Sequence, residues 1–181
     1  FLRDVLAERV GLEAALRAWT GYERHEQDFT FGSLTFEVKT QVVTADRMVT
    51  VSSEDQLDPG HGKILLCNQG LGPVAKESRD SVTINSLASN LVERARKLGS
   101  TVSTLLEVGL FKAGYEQRKE YDEESWILVD RSMYDVRDGF PRIERRDLRV
   151  GVEQVTYRIR VAACKPFEVA IDSALKGLSD D

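Results

Sequence analysis

The chain has few of the residues that most often mark a metal centre or a covalent framework: two cysteines and two histidines in 181 residues. Cys67 and Cys164 stand far apart in apolar surroundings without Cys-x-x-Cys spacing, so they read as buried free thiols rather than a disulfide or a zinc site. His61 has no histidine or cysteine near it in the sequence and reads as a loop residue. No stretch approaches the ~20 apolar residues needed to span a bilayer, and no signal peptide is visible. No membrane association and a reducing, cytoplasmic setting are therefore expected. Gly70 and Gly72 lie in Asn68-Gln69-Gly70-Leu71-Gly72-Pro73, but no Gly-Lys-Ser/Thr accompanies them and the dinucleotide fingerprint is absent, so this stretch reads as a turn. Positive charge is also in deficit, with 25 Lys and Arg against 30 Asp and Glu, net −5. Non-specific DNA binding depends on phosphate neutralisation by Lys and Arg. A broadly basic surface is thus excluded, and any nucleic-acid chemistry needs a local basic patch or a partner that delivers the substrate.

What is present is an ordinary globular composition, 41% hydrophobic and 30% charged, which supplies a sizeable core. The length suits one domain over residues 1–181. The first residue is Phe1, not Met, so a fragment with a truncated first helix is expected. Residues 1–10 carry Leu2, Val5, Leu6 and Val10 near helical spacing, and a second helical stretch runs from Leu12 to Trp19. The charged run Glu23-Arg24-His25-Glu26 reads as a solvated loop, with His25 able to approach the next segment from its edge. Residues 47–52 alternate as a strand. Ser53 and Gln56 have capping-box spacing for one helical turn over 54–57, closed by Asp58-Pro59-Gly60. Lys63–Cys67 is a continuous apolar run suited to a strand buried on both faces. Residues 83–98 form the clearest helix, with Ile84, Leu87, Ala88, Leu91, Val92, Ala95 and Leu98 on one face. A second helix over 101–113 is set off by Gly99. Strands are expected at 126–136 and 155–161, and a closing helix or strand at 167–178.

One stretch stands out: Gln27-Asp28-Phe29-Thr30-Phe31-Gly32-Ser33-Leu34-Thr35-Phe36-Glu37-Val38-Lys39-Thr40. Gly32-Ser33 suits a two-residue type II′ hairpin turn. That turn sets Phe31 opposite Leu34, Thr30 opposite Thr35, Phe29 opposite Phe36 and Asp28 opposite Glu37. One face then carries Phe29, Phe31, Leu34, Phe36 and Val38. The other carries Asp28, Thr30, Thr35, Glu37 and Lys39. Two carboxylates directly opposite, with Cβ atoms roughly 4.5–5.5 Å apart, repel one another. A divalent cation would reward the pair, because hard cations take carboxylate oxygens. Lys39 lies two residues beyond Glu37 on the same face. Two acids and a lysine at one spot suit phosphodiester hydrolysis, where a metal activates water and a lysine stabilises or deprotonates the attacking group.

Asp28, eight intervening residues and Glu37-Val38-Lys39 resemble the PD-(D/E)XK signature of restriction-endonuclease-like nucleases. Further stretches resemble the bacterial PD-(D/E)XK motif proteins found near phage-defence genes. These are Ala18-Trp19-Thr20-Gly21, Gln27-Asp28-Phe29, Glu37-Val38-Lys39-Thr40, Ser52-Ser53 with Asp55-Gln56-Leu57, Gly114-Tyr115 and Phe140-Pro141-Arg142. The resemblance implies an α/β fold with an αβββαβ-type core, a mixed sheet flanked by helices. It also implies a Mg²⁺-dependent DNA nuclease, with Mn²⁺ as a substitute, in which Asp28, Glu37 and the Val38 carbonyl hold the metal and Lys39 assists the water. Other proteins of a defence system are implied as partners. In that family a glutamate lies on the first helix in a Gly-Glu pair before the Phe, a position that falls upstream of Phe1.

Arg142, Arg145, Arg146 and Arg149 form a local basic cluster. It is either a solvated loop paired with Glu144 and Asp147 or an edge that contacts phosphates. Gln56 either closes its turn or helps to place DNA or metal. The alternative to an enzyme is a non-catalytic subunit that keeps the fold as an interaction module. Divalent-metal binding at the Asp28–Glu37 pair discriminates the two.

Overall fold

The structure, a computed structural model, describes residues 1–23, 26–44, 46–60 and 62–178. The hairpin forms as its turn dictates. β1 (Phe29–Phe31) pairs antiparallel with β2 (Leu34–Val42), with Phe29 opposite Phe36, Thr30 opposite Thr35 and Phe31 opposite Leu34. Gly32 stands at φ +55° while Ser33 stays out of the left-handed region, the backbone of a type II′ turn. β2 then runs parallel to β4 (Lys63–Val74), which is antiparallel to β5 (Ser125–Asp135), and β5 pairs briefly with β7 (Glu168–Val169). The result is the expected α/β arrangement around a mixed sheet, in the order β1-β2-β4-β5-β7.

Two apolar clusters lie on either side of this sheet. On one, α1 (Ala7–Val10) with the π-helical turn Leu2–Leu6 before it, α2 (Leu12–Arg17), α3 (Ile84–Leu98) and α4 (Ser100–Lys112) bury Leu6, Leu16, Ala95 and Leu106 against Phe29, Phe36, Leu65, Cys67 and Met133. On the other, β3 (Met48–Val51) and β6 (Tyr157–Arg160) form a separate two-stranded sheet. Its Val49, Val51 and Ile159 cluster with Ile64, Leu66, Tyr134, Leu57 and Phe140. β4 serves both clusters through the alternation of its side chains. Glu37 is in register with Leu66, so β2 turns Phe36 toward the helices and Glu37 toward the second layer.

Several expectations are corrected. Residues 68–73 are not a turn: β4 continues through them, paired with β2 and β5, with a register shift between Gly70 and Leu71. The glycines serve close approach instead. A Cβ on Gly70 would lie 2.6 Å from Arg47 Nη1 and 2.8 Å from Val43 Cγ2. α3 buries Asn85, Ala88, Leu91 and Ala95 but leaves Ile84 and Leu98 exposed; at its start it is Asn85, bonded to the Arg118 carbonyl and Asp122, that faces inward. The strand over 155–161 shortens to β6, and 167–178 divides into β7, α6 (Ile171–Ala174) and a 3₁₀ turn at Lys176–Leu178. Cys67 and Cys164 are free and buried as expected, and burial raises both thiols to about 11. His25 and His61 lie outside the described residues.

Candidate active site

The site is built from the residue before β1 and the middle of β2. Asp28 donates its N–H to the Phe36 carbonyl at 3.0 Å, and its own carbonyl accepts from Thr20 and Gly21 N–H at 2.9 and 3.0 Å. These bonds turn the chain at the end of the hairpin ladder and direct the Asp28 carboxylate onto β2, where Oδ2 accepts the Val38 N–H at 2.8 Å. Gly21 makes room for it: a Cβ there would lie 2.7 Å from Asp28 Oδ1. Within a strand, the N–H and C=O of one residue point to the same edge. The Val38 carbonyl therefore opens on the edge occupied by Asp28.

Glu37 is 2% exposed. Its Oε1 lies 2.8 Å from Lys39 Nζ, while Oε2 is buried without a hydrogen-bond partner. Burial first, and repulsion from Asp28 second, raise the Glu37 carboxyl to about 7, with Lys39 offsetting part of the effect. Burial also raises the Asp28 carboxyl, opposed by the Val38 N–H and Lys39. Lys39 Nζ donates in addition to Gln56 Oε1 at 3.0 Å. Asp28, Glu37 and Lys39 are thus brought together.

The expected capping box at Ser53 and Gln56 does not form. Residues 54–57 make a turn, and Gln56 Oε1 accepts the Ser52 N–H at 2.9 Å as well as Lys39. Ser53 Oγ bonds Glu26 at 2.8 Å. Three arginines of the cluster, Arg142, Arg145 and Arg146, are paired with carboxylates. Arg142, with a 7% exposed side chain, holds Glu144 and the Val136 carbonyl. Arg146 also holds Glu144. Arg145 makes a bidentate pair with Asp55 at 2.6 and 2.5 Å.

Three contributors were given no role by the sequence. Gly21 and Gln27 lie in stretches that carry the family resemblance, but nothing there indicates what they do. Gln27 Nε2 reaches the Asp55 and Gln56 carbonyls at 3.4 and 3.3 Å. Glu54 is buried at 3% and accepts the Gln154 and Val155 N–H groups at 3.3 and 2.9 Å.

Among the described residues no three His, Cys, Asp or Glu side chains are grouped to hold a metal. The donors present are two carboxylates and a carbonyl on one strand edge, all oxygen. One carboxylate oxygen is orphaned. This set fits a small hard cation, which is commonly held by one or two carboxylates and completes its shell with water and phosphate oxygens.

No curated protein and no solved structure matches the chain. The model of one family, described as "Putative PD-(D/E)XK family member, (DUF4420)", matches residues 1–162, and the chain belongs to that family.

Proposed function

We propose that the chain is a nuclease that hydrolyses DNA phosphodiester bonds with Mg²⁺, or Mn²⁺ in its place, held by Asp28, Glu37 and the Val38 carbonyl. PD-(D/E)XK proteins are in general nucleases that use divalent metals. The observation that carries the reading is Glu37, buried beside a second acid with Oε2 unpartnered. A buried carboxylate oxygen without a hydrogen-bond donor is costly even with Lys39 paired to the other oxygen, and a strand with only a structural role has no use for one. A cation at this position supplies the missing partner, neutralises phosphate charge and lowers the pKa of a water. Lys39, held against Glu37, keeps an ammonium beside the pair, where it stabilises negative charge developing on the phosphate. Glu37 binds as the carboxylate, so ligation strengthens as pH rises through about 7. Arg145 and Arg146, both with largely exposed side chains, are the candidate contacts to the DNA backbone, since a phosphate can replace Asp55 or Glu144 on the guanidinium; Arg142 is a weaker candidate because its side chain is buried. The resemblance to phage-defence proteins supports a role beside other defence proteins, and the two buried thiols suit a cytoplasmic location. Among the described residues no helix is long and apolar enough to cross a membrane.

A second reading, a non-catalytic subunit, draws support from the pairing of the arginines with carboxylates and from the net charge of −5. Thermal unfolding of the native protein and of Glu37→Gln, with Mn²⁺ or with chelator, together with a DNA cleavage assay, separates the readings. A ligand at a hundred times its Kd adds about 2.7 kcal/mol of stability. That gain is expected for the native chain alone, and cleavage is expected to vanish in Glu37→Gln. Mn²⁺ shifting neither protein, or both equally, removes the site. Binding without cleavage favours the subunit.

A further inference from the structure

The turn after β3 reaches into the site through one side chain. Gln56 Oε1 receives the Ser52 N–H at 2.9 Å and Lys39 Nζ at 3.0 Å. A backbone N–H and an ammonium only donate, so the amide must present its oxygen to both, which fixes its orientation. The Lys39 ammonium is then held at two points, by Glu37 and by Gln56, and a long side chain held at both loses most of its rotamer freedom. The turn is itself fastened: Glu54 is tied to the Gln154 and Val155 N–H groups, Gln27 reaches the Asp55 and Gln56 carbonyls, and Leu57 is fully buried.

From this geometry we infer that Gln56 is a positioning residue: its amide oxygen fixes the Lys39 ammonium beside the Glu37 carboxylate. The kinetic consequence rests on the nuclease reading, whereas the placement of Lys39 does not. In the metal-free protein, the ¹⁵N-detected ammonium signal of Lys39, assigned by its absence in Lys39→Ala, is expected to be resolved. It should be lost to exchange in Gln56→Ala and in Gln56→Met, which keeps the length without the acceptor. It should persist in Gln56→Glu, which keeps an acceptor at the same reach. An unchanged signal in both Gln56→Ala and Gln56→Met overturns the inference, whether or not the chain cuts DNA. Where DNA is cut, Gln56→Ala is expected to lower kcat about 10–100-fold, the scale of a small misplacement of a reacting group. KM for DNA should be unchanged and Gln56→Glu should restore most of the rate. A loss that Gln56→Glu does not restore assigns Gln56 to the fold alone.

Discussion

Two pairs of acids, Asp28 with Glu37 and Glu54 with Asp55, lie on either side of the same lysine–glutamine contact and behave in opposite ways. The Asp28 and Glu37 carboxyls are both raised by burial. The Glu54 and Asp55 carboxyls are both lowered, Glu54 by backbone N–H groups and Asp55 by Arg145. Both glutamates are almost inaccessible, at 2% and 3%. What separates them is how deeply each is desolvated and the supply of donors. Glu54 accepts from two further backbone groups of the segment after the arginines, and its charge fastens two distant parts of the chain. Glu37 has one donor and an empty oxygen, so its charge is left for something else to complete. Low exposure alone therefore does not set the direction of a carboxyl's shift: deep desolvation raises Glu37, and backbone donors lower Glu54.

The largest expected effect is a pH dependence of stability. A carboxyl raised in the folded state stabilises that state below its unfolded pKa and loses the contribution as pH rises. With Glu37 moved from 4.5 to about 7, the metal-free protein should lose on the order of 3 kcal/mol between those values. Denaturant unfolding from pH 4 to 8 in chelator measures it, and Glu37→Gln should flatten the slope. A native protein equally stable across this range would erase the contrast between the two pairs.

Gly21→Ala comes next. The new methyl would overlap Asp28 Oδ1, at a cost of about 1–3 kcal/mol if the site cannot yield. Mn²⁺ affinity, measured by calorimetry, should fall with it while the unfolding slope due to Glu37 persists.

Glu54→Gln should have the smallest effect of the three and the opposite pH signature. The new amide N–H₂ faces backbone N–H groups, so the unfolding midpoint should drop at neutral pH. A lowered carboxyl gives stability above its unfolded pKa and loses it as pH falls, so the two proteins should converge below about pH 4.

The hairpin and the phase of Glu37 and Lys39 are legible in the sequence because Gly32-Ser33 sets the register and alternation does the rest. The fold class is legible through the resemblance carried by Asp28 and Glu37-Val38-Lys39, with which the alternation and the two long helical periods agree. The course of β4 past Cys67 is hidden, because Gly70, Gly72 and Pro73 look like chain breakers until Arg47 and Asp130 are seen packed over Gly70. The exposed ends of α3 are hidden as well, since periodicity gives a face but not how much of its length is covered. Gly21 and Glu54 act through partners 7 and about 100 residues away, so their roles are not legible locally, even where Gly21 falls in a stretch that carries the resemblance.

The pairing of β3 with β6 also sets when the site can exist during synthesis. Asp28, Glu37 and Lys39 leave the ribosome together with their hairpin, by Val42. The turn bearing Gln56 gains part of its fastening only from β6 and the residues just before it. At ~5–20 residues per second, that closure arrives roughly 6–24 s later. A nascent chain thus carries its acids before the turn that holds Lys39 is tied to the segment around Gln154 and Val155.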